Sequence, residues 1–175
     1  MTFDEYVTLA QRTASTKTNT DKIGHGCLGL IGEAGEVVDI IKKMTYMGMT
    51  REMAREKLID EVGDCCWYIA EWCTGSGNSM QEIFDATAGF HDSFSLETWA
   101  VSMVRDAYDL WYDSDGGYTC SLMDDVEHIA TGIKAICHRI DVTLDEVLEH
   151  NIEKLKKRFP EGFSADRSNV RYEHS

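Results

Sequence analysis

The sequence predicts an all-α protein. Three observations carry that expectation. Apolar residues recur every three to four positions over long stretches, no stretch alternates apolar and polar residues for the length of a strand, and helix-start signals recur along the chain. The signals are the capping boxes Thr2-Phe-Asp-Glu5, Ser79-Met-Gln-Glu82 and Thr143-Leu-Asp-Glu146. A length of 175 residues suits one domain with a sizeable buried core.

The first box opens a helix that runs to about Ala14, and residues 15–21 form a polar linker. A second helix spans about Ile23 to Met47, with Cys27, Leu30, Ile31, Val37, Val38, Ile41 and Met44 on a 3.6-residue period. Gly48 stops it, and Thr50 caps a third helix over about 51–73. Thr74-Gly-Ser-Gly-Asn78 is a break, and the second box starts a short helix to about Ala88. A loop over 89–95 leads to a helix from Leu96 to about Tyr112 and a turn at 113–117. Ser121 caps a helix to about Arg139, and the third box opens the last long helix, which ends at Phe159-Pro160. Residues 161–175 read as a polar tail wrapping the surface. The expected architecture is a four-helix core from about 1–77 and 143–160, with a helical insertion at about 78–142.

One internal regularity stands out. Shifted by 64 positions, Leu58-Ile-Asp-Glu-Val62 falls on Leu122-Met-Asp-Asp-Val126, and residues 58–84 share six identities in 27 with 122–148. A degenerate duplication and two unrelated amphipathic helices both account for it. If it is a duplication, Glu33 maps to Glu97, Glu36 to Ala100, Glu61 to Asp125 and Asp64 to His128, leaving one complete acidic set.

A net charge of −14 argues against a protein that grips nucleic-acid phosphates with clustered Lys and Arg. No apolar run approaches the ~20 residues of a membrane span, and the acidic N-terminus does not read as a signal peptide. The six cysteines include no CxxC pair, so they are expected as reduced, buried thiols in a cytoplasmic protein without structural zinc.

The chemistry concentrates in helices two and three. Glu33 and Glu36 stand at i and i+3, as do Glu61 and Asp64. Glu36 is 11 residues before the turn at Met47, and Glu61 is 11 after Thr50. At ~1.5 Å per residue both pairs lie about 16 Å from the turn and come level in an antiparallel hairpin. Gly32, Gly35 and Gly63 flank the acids, where they are expected to permit close backbone approach. Facing carboxylates repel unless they protonate or a cation sits between them, and oxygen-only ligands favour hard Mg²⁺ or Mn²⁺. The bland reading makes them solvated faces of surface helices.

The run Gly29-Leu-Ile-Gly-Glu-Ala-Gly-Glu36-Val-Val-Asp-Ile-Ile-Lys-Lys43, followed by Glu61-Val-Gly-Asp64-Cys-Cys-Trp-Tyr-Ile-Ala70, resembles the MazG-like all-α nucleoside triphosphate pyrophosphohydrolases. Residues 143–163 are similar to the C-terminal part of small, often phage-encoded members, and Glu5-Tyr6 and Gln11-Arg-Thr13 to their first helix. The matches together cover 3–77 and 143–171. The resemblance implies Mg²⁺-dependent hydrolysis of a (d)NTP to (d)NMP and pyrophosphate, with Mn²⁺ as a substitute. It places Glu33, Glu36, Glu61 and Asp64 as metal ligands, with Glu33, and next Glu36, orienting the attacking water. Gly32 stands where some members carry a further Glu, and Asp39 is a spare acid.

Lys154 and Arg158, with Asn151 a turn earlier, match phosphate contacts of the family; the plain alternative is a solvated basic last turn. Lys42 and Lys43 are weaker candidates for the same role; Trp67, Tyr68 and Trp72 read as core aromatics of which one, Trp67 first, is a candidate for stacking on a base; and His25 reads as structural. A calcium loop at Asp113-Ser-Asp-Gly-Gly-Tyr fails at its sixth and twelfth positions. His91-Asp92 lacks a supporting helical His, and no Glu-x-x-His motif supports a di-iron bundle. The remaining expectations are a homo-oligomer, dimer or tetramer, with no nucleic-acid or membrane partner, and a purine such as dGTP as the substrate. The rivals are a dUTPase-type or phosphoribosyl-ATP-type pyrophosphatase and, from another class, a non-catalytic helical interaction protein.

Overall fold

A computed structural model describes residues 1–87, 94–116 and 122–163 of the chain. Among them run seven helices: α1 Phe3–Gln11, α2 Asn19–Tyr46, α3 Arg51–Ser76, α4 Met80–Ala86, α5 Leu96–Ser114, α6 Leu122–Arg139 and α7 Leu144–Arg158. No strand occurs among the described residues, so the all-α expectation holds. Nor is any described helix long and apolar enough to cross a membrane.

Side-chain caps set most helix starts. The reciprocal capping box forms at Thr2 with Glu5 and at Thr143 with Glu146, while Ser79 caps through its hydroxyl. Thr18 caps α2 by accepting from the Asp21 amide, so α2 begins four residues before Ile23 and absorbs part of the expected linker. Helix α3 continues to Ser76 and stops at Gly77, whose φ of +79° is the left-handed conformation that ends helices. Helix α1 is shorter than expected and ends at Gln11. The loop 89–93, the Ser121 cap, Cys120 and the tail beyond 163 lie outside the described residues.

Helix α2 packs between α3 and α5, α5 packs on α6, and α1 and α7 lie against α3. Helix α3 therefore buries residues on several faces, including Leu58, Cys65, Ile69 and Trp72, because other helices surround it. The buried apolar side chains form one cluster to which α5 and α6 contribute Met103, Leu110, Ile129 and Ile133. Residues 96–114 and 122–139 thus share the core of the rest. The five described cysteines, Cys27, Cys65, Cys66, Cys73 and Cys137, are free and buried.

One expectation about placement needs correction. A Cβ at Gly32 or Gly35 would meet nothing within 4 Å, so neither glycine serves a close approach. That role falls to Gly63, where a Cβ would sit 3.0 Å from the Asn151 Cβ of α7. Glu97 accepts from the Thr45 hydroxyl at 2.9 Å, and the carboxylates acting on Asp125 are Asp106, Asp109 and Asp113 of α5.

Candidate metal centre and adjoining cavity

Glu33 of α2 and Glu61 and Asp64 of α3 bring one carboxylate oxygen each to within 4.8 Å of one another. The i,i+3 spacing stacks Glu61 and Asp64 on one face of α3, and the hairpin sets Glu33 across from them. All three are partly exposed. Glu36, the fourth expected ligand, is exposed and is not one of this trio. Its neighbours Ala34 and Val37 are the residues of that turn that face the core, which turns Glu36 outward.

Asp64 is held from α7. Its Oδ1 accepts from Asn151 Nδ2 at 2.8 Å, and the Lys154 ammonium lies 2.8 Å from both of its oxygens. Lys154 also lies 3.5 Å from the Asp60 carboxylate. Asn151 is fully buried, and its Oδ1 accepts from the Tyr6 hydroxyl at 2.9 Å. Burial, together with the negative charge of Asp64, pushes the Tyr6 phenol well above its usual value, so it stays a donor. This Tyr6–Asn151–Asp64 chain depends on the contact of α7 with Gly63. Asn151 is therefore a buried support for Asp64 rather than an open phosphate contact. Lys154 likewise bonds a carboxylate of the acidic group.

Beside the acids lies a cavity of about 200 Å³. Glu33, Asp64 and Arg158 contribute its charge, and Trp67, Tyr68 and Phe159 its aromatic wall. Trp67 is only 9% exposed, and its Nε1 donates to the Ala10 carbonyl at 3.1 Å and the Thr13 hydroxyl at 3.0 Å. Those bonds fix the indole as a wall, edge-on to Tyr68 with ring centres 4.9 Å apart. The Tyr68 ring lies over Gly29, where a Cβ would come within 2.1 Å of it. The Arg158 guanidinium stands over the Phe159 ring at 5.0 Å.

Lys42 does not reach this region through any contact seen: it pairs with Asp39, which Lys43 also engages at 2.5 Å. Asp39 is thus a partner of surface lysines, and the two lysines hold its carboxyl below the usual range. The buried Cys65 thiol is pushed well up, first by burial and with the nearby carboxylates Glu33, Asp64 and Glu61 acting in the same direction, which keeps it a neutral thiol. Sequence reasoning missed Phe159, Phe163 and His25 as cavity residues, and it named Tyr68 only as one of three aromatics of which one could stack on a base. The available signal was the glycine at 29, a helical position left without a side chain opposite Tyr68.

Compared with known proteins, the chain matches no protein-family model, no curated protein and no solved structure.

Proposed function

We propose that the protein is a MazG-like pyrophosphohydrolase that cleaves a nucleoside triphosphate between its α and β phosphates. The observation that carries this reading is the convergence of Glu33, Glu61 and Asp64 beside an aromatic cavity that also holds Arg158.

The donor set fits a hard divalent ion. It is all oxygen, it comes from two packed helices, and Asp64 already binds a cationic ammonium. Glu33, Glu61 and Asp64 would hold Mg²⁺ or Mn²⁺; Glu36 enters the proposal from the sequence pattern alone. The bound ion supplies neutralisation of the triphosphate charge and a lowered pKa for water. Asn151 and Tyr6 keep Asp64 oriented. Glu33 faces both the acidic group and the cavity, which suits it to orient the attacking water. Arg158 offers a fork of donors to phosphate oxygens, and Lys154 is a point charge within reach of the same acids. Trp67 and Tyr68 form the wall for the base.

The test is a panel of the eight common NTPs and dNTPs with Mg²⁺ or Mn²⁺, with products separated chromatographically. Nucleoside monophosphate and pyrophosphate are expected. Asp64→Asn should lower turnover at least about 100-fold and weaken Mn²⁺ binding, while its fold survives. Nucleoside diphosphate with orthophosphate, or no turnover of any of the eight, overturns the reading.

A further inference from the structure

Glu71 of α3 is 0% exposed, and the metal chemistry above makes no use of it. It accepts from the Thr16 hydroxyl, and its Oε2 lies 2.5 Å from His25 Nδ1. A carboxylate taken wholly out of water favours a cation beside it, and the group bonded to Glu71 that a proton makes cationic is the His25 imidazole. The carboxylate hydrogen bond pushes the His25 pKa up against the opposing effect of burial. His25 is not sealed in with its partner. Its side chain is 42% exposed, and the residue lines the cavity beside Trp67 and Tyr68. The imidazole meets both rings edge-on, at 6.1 Å from Trp67 and 5.4 Å from Tyr68.

With Nδ1 committed to Glu71, the polar atom left on the ring is Nε2, which carries a hydrogen in the charged form and cannot accept. A charged donor in an aromatic wall selects a flat ligand bearing a hydrogen-bond acceptor and rejects one that presents an amino group there. We propose that His25, held by Glu71, is a specificity residue that reads a keto oxygen on the nucleobase, favouring guanine, hypoxanthine and uracil over adenine and cytosine. This rests on the nucleotide reading above. His25 would touch the ligand; Glu71 acts through His25 as a positioning residue.

The experiment uses matched pairs that differ by one keto-for-amino exchange: inosine against adenosine, and uridine against cytidine. Each is measured as the triphosphate by kcat/KM with Mg²⁺, and as the free nucleoside by saturation-transfer NMR without metal. The wild type should prefer the keto member of each pair about tenfold or more, the scale of one charge-assisted hydrogen bond. His25→Phe, which keeps a ring but removes the donor, should bring each pair to within about twofold of parity. Glu71→Gln, which keeps the shape but removes the charge, should reduce the preference in the same direction. Thermal melts confirm that the variants are folded, and His25→Phe decides the matter if Glu71→Gln is not. A wild type without preference overturns the proposal, as does a His25→Phe variant that keeps it. So does an equal loss for both members, which would put His25 on the phosphates. If no triphosphate is hydrolysed but the nucleoside preference exists and disappears in His25→Phe, the hydrolase reading fails and the His25 assignment stands. Hydrolysis without base preference removes the His25 assignment and leaves the hydrolase reading in place.

Discussion

Asp125→Asn should stabilise the protein at neutral pH and lose that advantage in acid. Asp125 is 5% exposed on α6, and its Oδ2 has no hydrogen-bond partner. Burial first, and then the charges of Asp109, Asp113 and Asp106, push its pKa up from 3.8 to about 6, with His128 acting in the opposite sense. The folded state therefore holds this proton more tightly than the unfolded chain does. Its penalty is absent below pH about 4, grows as pH rises from 4 to 6, and is complete above that. Two pKa units at 1.36 kcal/mol each give ~3 kcal/mol at pH 7.5. For a chain of 175 residues that is roughly 6–12 °C in Tm. The Asn amide brings its own desolvation cost, but that cost does not vary with pH, so the pH dependence is the diagnostic. Chemical denaturation of both proteins at pH 4, 5, 6 and 7.5 measures it. The stability difference, variant minus wild type, should rise by ~3 kcal/mol across the series. A flat difference would refute the placement of a charged Asp125 among the α5 carboxylates.

Gly63→Ala should cost about 1–3 kcal/mol, because the new methyl would press on Asn151, and it should weaken Mn²⁺ binding by disturbing the support of Asp64. Gly35→Ala has open space and should instead stabilise by about 0.5–1 kcal/mol, which the same denaturation assay reads. Arg158→Ala should lower kcat/KM for the triphosphate by about 10- to 100-fold, equivalent to roughly 1.5–3 kcal/mol. Lys42→Ala, whose partner is Asp39, should leave kcat/KM within about twofold of wild type.

The helical class, most helix starts and the acidic pairs are legible in the amino-acid order alone, because they are local properties. A Thr hydroxyl reaching an amide three residues on needs only its own turn, and apolar spacing reports which helix face wants burial. Local spacing also places Glu61 and Asp64 on one face, since i and i+3 neighbour each other on any helix. Which member of the Glu33–Glu36 pair meets them is not local. That depends on how α2 is rotated about its axis, which the burial of Ala34 and Val37 against its neighbours decides. The same limit applies to α7. Its sequence shows a basic turn, and only its packing on Gly63 makes Asn151 a support for Asp64 and Lys154 an ion-pair partner. His25 and Glu71 are 46 residues apart and belong to no spacing rule. Their bond, like the Tyr68 ring seated on Gly29, exists because α2 and α3 pack closely enough for one helix to fill the space the other leaves. Helix periodicity tells a chain what to bury; the rotation and approach of neighbouring helices decide which polar groups meet.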